Sequence, residues 1–300
     1  VGSPRGRAGL PRAAIHRRPL ARRWPLILWS ACALAGTWAA ADALRADDRF
    51  APPSIAERAT YAALVRDLLR DAERGQVPAT LAARAAALGF AITVDGDVAT
   101  LAEVPDRRRG AGLVAVRLGP LDREVVLQAP HPYHDRGTGP LAGALFDAGG
   151  FRAVAVATAN RSAAPGADVA HAPESWFQAA TDGAAQALQA PLFFQLHGFA
   201  ASTSDACAVL SEGPTRQAPA SLRDAATTLA AALACDPVRT GAEVPALAAR
   251  SNVQGLLLID RADFLHLELS AAVRDTLAAD PAAASRFAGA IQSLAPAGAR

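Results

Sequence analysis

At 300 residues the chain is long enough to bury a full core, and the part beyond its N-terminal segment suits one large α/β domain with no second catalytic domain. The 51% hydrophobic fraction is inflated by alanine, and every basic residue is Arg, with no Lys or Met, which speaks of biased codon usage and not of function. The net charge of +2 conceals a split: seven Arg and no acid lie in the first 41 residues, leaving 23 Arg against 28 Asp and Glu, and a mildly acidic body without a basic stripe argues against nucleic acid as partner.

Those seven residues (Arg5, Arg7, Arg12, Arg17, Arg18, Arg22, Arg23) run into the apolar stretch Trp24–Trp38 and then Ala39-Ala40-Ala41. A basic region, an apolar core and small-residue A-x-A sites in that order predict, over residues 1–41, a signal peptide or an uncleaved N-terminal membrane anchor. The protein is therefore expected in the periplasm or secreted, or tethered to the inner membrane through that segment alone. Of the three cysteines, Cys32 sits inside the apolar run. An oxidising compartment permits a disulfide between Cys207 and Cys235, two buried thiols being the alternative, and the absence of any CxxC excludes a cysteine zinc site.

Residues 42–53 read as a linker. Ser54 is placed to cap a helix whose apolar positions (Ala59, Ala62, Leu64, Val65, Leu68, Leu69) fall at helical spacing and stop at Gly75. A second helix, Pro78 to Leu88, ends at Gly89, and Phe90–Val94, the turn Asp95-Gly96-Asp97 and Val98–Leu101 predict a hairpin. Residues 54–111 thus read as N-terminal helices and a hairpin packed on the core, with Arg107–Gly110 a solvated loop. Across 112–295, the main α/β domain, apolar runs alternate with Ala-rich helical stretches. The runs are Leu113–Leu118, Glu124–Gln128, Phe151–Ala157, Leu192–Leu196, Gly255–Ile259 and Phe264–Leu269. This predicts an α/β fold with a mixed, largely parallel sheet flanked by helices on both faces, and ligands at the carboxyl ends of the strands.

Three strand ends carry histidine. Ala129-Pro-His-Pro-Tyr-His-Asp-Arg-Gly-Thr138 holds His131, His134 and Asp135 on a short loop between strand and helix, a set that suits Zn²⁺ if another strand adds a ligand, or else a His–Asp hydrogen bond in a turn. His197 ends an otherwise apolar run, and Gly198 after it lets the backbone approach a ligand; a buried, hydrogen-bonded His is the plainer reading. Alternation puts Phe264, His266 and Glu268 on one strand face, where Glu268 serves either as proton carrier in a metal hydrolase or as a structural partner of Arg274. Asn160-Arg161 follows another strand, with Arg161 suited to clamp a carboxylate. Downstream, Asp168 and Glu174 read as helix N-terminal residues and His171 as a substrate contact. GxSxG, HExxH and P-loop motifs are absent.

Over roughly residues 112–278 the order of these segments resembles the zinc carboxypeptidase-like superfamily, which includes N-formylglutamate amidohydrolases, aspartoacylases and poly-γ-glutamate hydrolases. Ala129-Pro-His131 with Asp135-Arg-Gly-Thr138 is similar to the poly-γ-glutamate hydrolase pattern, which implies His131 and Asp135 as zinc ligands. Gln195-Leu-His197-Gly resembles the segment of the third ligand, Leu267-Glu268-Leu269 the segment of the catalytic glutamate, and Asn160-Arg161 the substrate-binding Asn-Arg pair. The acid is Asp where the family more often has Glu, and His134 stands at the acid's HxxE spacing, while Asp135 keeps register with Gly137-Thr138. The resemblance implies an exported zinc-dependent hydrolase of amide bonds, acting on small peptides, N-acyl amino acids or γ-glutamyl and cell-wall fragments. A non-catalytic metal- or ligand-binding protein on the same fold is the alternative.

Overall fold

The computed structural model describes residues 1–2, 49–214 and 219–297, so the expected signal or anchor, and most of the linker, lie outside the described residues. Among the described residues no helix is long and apolar enough to cross a membrane.

Ser54 opens α1 (Ile55–Glu73) through a capping box: its hydroxyl accepts from Glu57 N–H, and the Glu57 carboxylate accepts Ser54 N–H at 2.9 Å. After α2 (Ala79–Ala87) comes the hairpin of β1 (Phe90–Asp95) and β2 (Val98–Glu103). It joins the main sheet, because β2 pairs antiparallel with β3 (Leu113–Arg117). The chain continues through β4 (Val125–Ala129), α3 (Thr138–Ala148), β5 (Ala153–Val156), α4 (Trp176–Ala187), β6 (Leu192–Gly198), β7 (Ala208–Ser211) and α5 (Pro219–Leu233). It closes with β8 (Val238–Thr240), α6 (Val253–Leu258), β9 (Asp263–Leu269), α7 (Ala271–Ala279) and α8 (Pro281–Leu294).

The strands form a sheet in the order β1-β2-β3-β5-β4-β6-β9-β7-β8. Its centre, β5-β4-β6-β9, is parallel, and antiparallel pairings β3–β5 and β7–β9 flank it. The sheet is therefore mixed, with a four-stranded parallel block in the middle and a short parallel pair, β7–β8, at one edge. Helices α3, α5, α7 and α8 cover one face around Leu127, Phe194, Leu267 and Phe287, and α1, α2, α4 and α6 cover the other around Tyr61, Val126, Phe193 and Trp176.

Register on this second face positions the site. Val126, Phe193 and Phe264 lie side by side across β4, β6 and β9 as an apolar row. Two residues on, Gln128, Gln195 and His266 form a polar row, and beyond it His197 stands beside Glu268 at the carboxyl ends. Each row follows from the period of two along a strand, multiplied by parallel pairing.

Two expectations are corrected. Residues Gly255–Ile259 do not form a strand: Val253–Leu258 is helix α6, started by the Asn252 side chain, which accepts Gly255 N–H at 2.9 Å. Five apolar residues are too few for periodicity to separate the two, and the capping Asn decides. Nor is the Arg107–Gly110 loop simply solvated, since Arg109 pairs with Glu57 and with buried Glu103 and lays its guanidinium 4.3 Å from the Trp176 ring centre. Strands β7 and β8, four and three residues long, were not anticipated.

Cys207, entering β7, and Cys235, after α5, are joined in a disulfide with Cα atoms 6.2 Å apart and a sequence separation of 28. Closing a loop of that size removes about 3.5 kcal/mol of unfolded-state entropy. The Cys207→Ala/Cys235→Ala double variant is expected to lose about that much stability. Urea unfolding of the oxidised protein against the variant measures it, and equal midpoints would refute a stabilising crosslink.

Candidate metal centre

After β4 the chain turns through one helix-like turn, with Asp135 N–H donating to His131 O at 2.8 Å and Thr138 N–H to Asp135 O at 3.1 Å. The i,i+4 spacing brings the His131 and Asp135 side chains to one side. Gly137, at φ 90°, takes the left-handed conformation that starts α3. From β6, His197 reaches the same point, and Gly198 N–H donates to the Asp135 carboxylate.

Asp135 Oδ2 lies 3.0 Å from His197 Nδ1 and 3.8 Å from His131 Nδ1, and all three residues are buried. His131 Nε2 is 2.8 Å from Asp168 Oδ1. A carboxylate only accepts, so Nε2 carries the proton and Nδ1 presents a lone pair. That buried Nδ1 has no hydrogen-bond partner. It faces a carboxylate oxygen, and two acceptors gain from facing each other only when a cation stands between them. The three side chains could hold a metal ion. Zn²⁺, held at about 2.0–2.2 Å by N and O in a tetrahedron, sets its ligands about 3.3 Å apart. The observed separations bracket that value, and the donor set fits zinc.

Burial works to raise the Asp135 carboxyl, but its contacts with His197 and His131 and the Gly198 N–H outweigh it and hold the group below the usual carboxylate range. Asp168 behaves likewise: burial opposes ionisation, and the His131 contact, Arg161 and His171 drive it far lower. Both carboxylates stay ionised at neutral pH, as a cation site and its outer support require.

Beside His197, Glu268 sits in register on β9, and burial pushes its carboxyl up to about 7, with Asp135 adding and His197 and Arg274 opposing. Its Oε2 is buried without a hydrogen-bond partner. Arg274 is not its structural partner: that guanidinium donates to the backbone oxygens of Arg136, at 2.9 Å, and of Leu269. Arg274 also packs over Gly198, so the glycine makes room for this side chain. His266, one row deeper, has its ring centre 4.5 Å from that of His197, and burial, with His197 and His131, holds its pKa well below 6.5. His197, His266 and Glu268 form a second group close enough to share an ion.

These groups floor a cleft of about 490 Å³, a size suited to a small ligand. Its acids, Asp135 and Glu268, are inner; Arg161, Arg250, His134 and His171 also line it, with small residues such as Ala200 and Ala249 between. Arg161 Nη2 is 2.5 Å from Asp168 Oδ2, so this arginine braces the acid that holds His131. Asn160 does not line the cleft; its Oδ1 accepts from Ser162 N and Oγ at 3.1 and 2.8 Å. His134 lies exposed on the cleft wall, and Asp135, not His134, meets the two imidazoles. Asp168 is not a helix N-terminal residue, since α4 starts only after Ser175, which caps it; Glu174, just before that cap, faces Arg58 at 3.8 Å. Its role as the partner of His131 had no sequence signal, because the loop that carries it has no period to read.

No known family profile matches the chain, and no curated protein matches it. Solved structures that it resembles include an aspartoacylase family protein from Mesorhizobium loti (12% identity, 66% of this chain and 70% of that one, TM-score 0.40). Another is a protein assigned as a carboxypeptidase A from Shewanella denitrificans (15%, 61% and 59%, TM-score 0.33). A third is LapA of Legionella pneumophila (10%, 88% and 73%, TM-score 0.42).

Zinc titration separates the ligands. Asp135→Ala and His197→Ala are expected to abolish tight binding, Asp168→Ala to weaken it roughly 10- to 100-fold, and His134→Ala to leave it unchanged. Calorimetry against a competing chelator measures all four. An intact Asp135→Ala site with a damaged His134→Ala site would reverse the assignment.

Proposed function

We propose that this chain is a zinc-dependent hydrolase of amide bonds, of the carboxypeptidase and amidohydrolase type. One observation carries the reading: three buried residues, His131, Asp135 and His197, converge at strand ends on the floor of an open cleft, with Glu268 beside them, its Oε2 without a hydrogen-bond partner. His131, Asp135 and His197 are the residues that would hold the ion. When bound, Zn²⁺ supplies Lewis acidity and makes water more acidic.

Glu268 takes a proton from the attacking water and returns it to the amine nitrogen as the C–N bond breaks, giving a carboxylic acid and an amine. A carboxyl whose pKa lies near neutrality serves both transfers at little cost. Arg274, fixed on backbone oxygens, leaves Glu268 free to move that proton. The substrate is a small peptide, an N-acyl amino acid or a γ-glutamyl or cell-wall fragment with a free carboxylate. Asn160 and Arg161 are the substrate-binding pair implied by the resemblance, yet Arg161 is already engaged by Asp168. Arg250, exposed on the cleft wall with no ion pair among the described residues, is the better carboxylate anchor. The basic and apolar segment of residues 1–41 supports export, and the Cys207–Cys235 disulfide is in keeping with an oxidising compartment.

Glu268→Gln is expected to lower kcat roughly 10²- to 10⁴-fold on a panel of N-acyl amino acids and peptides, with one zinc still bound. Full activity in this variant would refute the mechanism, and a wild type that binds zinc but hydrolyses nothing on the panel would favour the non-catalytic alternative. Arg250→Ala is expected to raise KM about 10- to 100-fold for carboxylate-bearing substrates with kcat little changed. Amidated substrates should show no such difference, and an unchanged KM for the free acids would remove Arg250 from the site.

A further inference from the structure

Beneath His197 lies a set of buried amides that the chemistry above does not use. Gln128, Gln195, Gln254 and Asn252 are each 2% exposed or less, and Gln178 is 8% exposed. Side-chain amides are ambiguous singly, because oxygen and nitrogen ends are interchangeable in shape. Here backbone groups, whose roles are not interchangeable, fix every one.

Phe177 O only accepts, so the Thr181 hydroxyl, 3.0 Å away, spends its proton there. The Thr181 oxygen must then accept from Gln128 Nε2, at 2.8 Å, which turns Gln128 Oε1 toward Gln195. Gln195 must answer with its NH₂, at 3.0 Å. A second arm agrees: Gln254 Nε2 donates to Val169 O at 2.9 Å, leaving Gln254 Oε1 to face Gln195 Nε2 at 3.3 Å. A third comes from α6, where Gly255 N–H donates to Asn252 Oδ1, so Asn252 offers its NH₂ to Gln195 Oε1 at 2.6 Å. All three arms put the Gln195 oxygen against His197 Nε2, 3.0 Å away.

We infer that Gln195 is a positioning residue, fixed by this amide relay, that keeps the His197 proton on Nε2 and so dedicates Nδ1 to a cation. The inference rests on the metal-centre reading for its purpose but not for its geometry. It matters because Asp135 Oδ2, 3.0 Å from Nδ1, would otherwise draw the proton to that nitrogen. Such a tautomer satisfies Asp135 and cannot bind metal through Nδ1. The relay decides the contest before any ion arrives, as Asp168 does alone for His131.

Nitrogen-15 NMR of the histidine rings, on the metal-free full chain and then with zinc, tests this. In the wild type, His197 Nε2 is expected to be protonated in both states. Gln195→Met removes the acceptor, and is expected to move the metal-free proton to Nδ1 and raise the zinc Kd roughly 10- to 100-fold. Gln195→Glu keeps an acceptor toward His197 and loses only the donor side; it is expected to keep Nε2 protonated and to bind zinc within a few-fold of wild type. A protonated Nε2 and unchanged zinc affinity in Gln195→Met overturn the inference. If that variant does not fold, a proton moved to Nδ1 in Gln195→Glu overturns it instead. A wild type whose Nε2 proton depends on Gln195, but which binds no zinc, overturns the metal reading while leaving the relay in place.

Discussion

Two imidazole nitrogens and a carboxylate oxygen meet at one buried point, and much of the surrounding structure converges on them. Left alone, His131 Nδ1, His197 Nδ1 and Asp135 Oδ2 would repel, rotate or take up protons. The protein prevents this from outside the centre. Asp168, braced by Arg161, holds one imidazole, the amide relay holds the other, and Gly198 N–H holds the carboxylate. The supports come from β6 itself, from the loop that carries Arg161 and Asp168, and from α4 and α6 through the relay, so the site depends on the parallel centre of the sheet and the elements packed above it.

That dependence explains what was legible beforehand. His131, His197 and Glu268 are visible in the chain because each interrupts or ends an apolar run, where a polar side chain has to be explained by a partner or a task, whereas Asp135 is picked out only by the resemblance of Asp135-Arg-Gly-Thr138. The face shared by Phe264, His266 and Glu268 follows from alternation alone, and β9 bears it out. The supports are less visible. Asp168 lies in an irregular loop, Gln254 and Asn252 belong to a helix whose apolar residues mimic a strand, and Gln178 and Thr181 look like ordinary residues of an amphipathic helix. Their role exists only once α4 and α6 are packed against β6, and no local pattern encodes that packing. Arg109 was misread for the same reason, since its partners Glu57, Glu103 and Trp176 are supplied by three distant segments.

The α/β layering was easier to foresee than the sheet's polarity. Alternating runs predict strands and helices, but the pairings β3–β5 and β7–β9 are antiparallel, so the central parallel block ends at the strands that build the site, and parallel pairing returns only in the short edge pair β7–β8. The flanking strands then serve as lateral cover. Ser211 on β7 stands opposite His266 and Val209 opposite Glu268, which closes that side of the polar rows.

The rows on β4, β6 and β9 also explain how a protein tolerates so many buried polar groups. One pleat below the amides, Val126, Phe193 and Phe264 belong to the apolar core under α1 and α4; one pleat above, His197 and Glu268 open on the cleft. The amide row is the transition between them. Its amides are satisfied and cost little there, although His266 Nδ1 in the same row has no hydrogen-bond partner; a missing partner among the amides would leave an oxygen or an N–H stranded at low dielectric. The opposite face of the same strands carries Leu127, Phe194 and Leu267 and needs no such device. A strand with a dry face and a graded polar face is anchored on both sides, and that anchoring is what sets His197 beside Asp135.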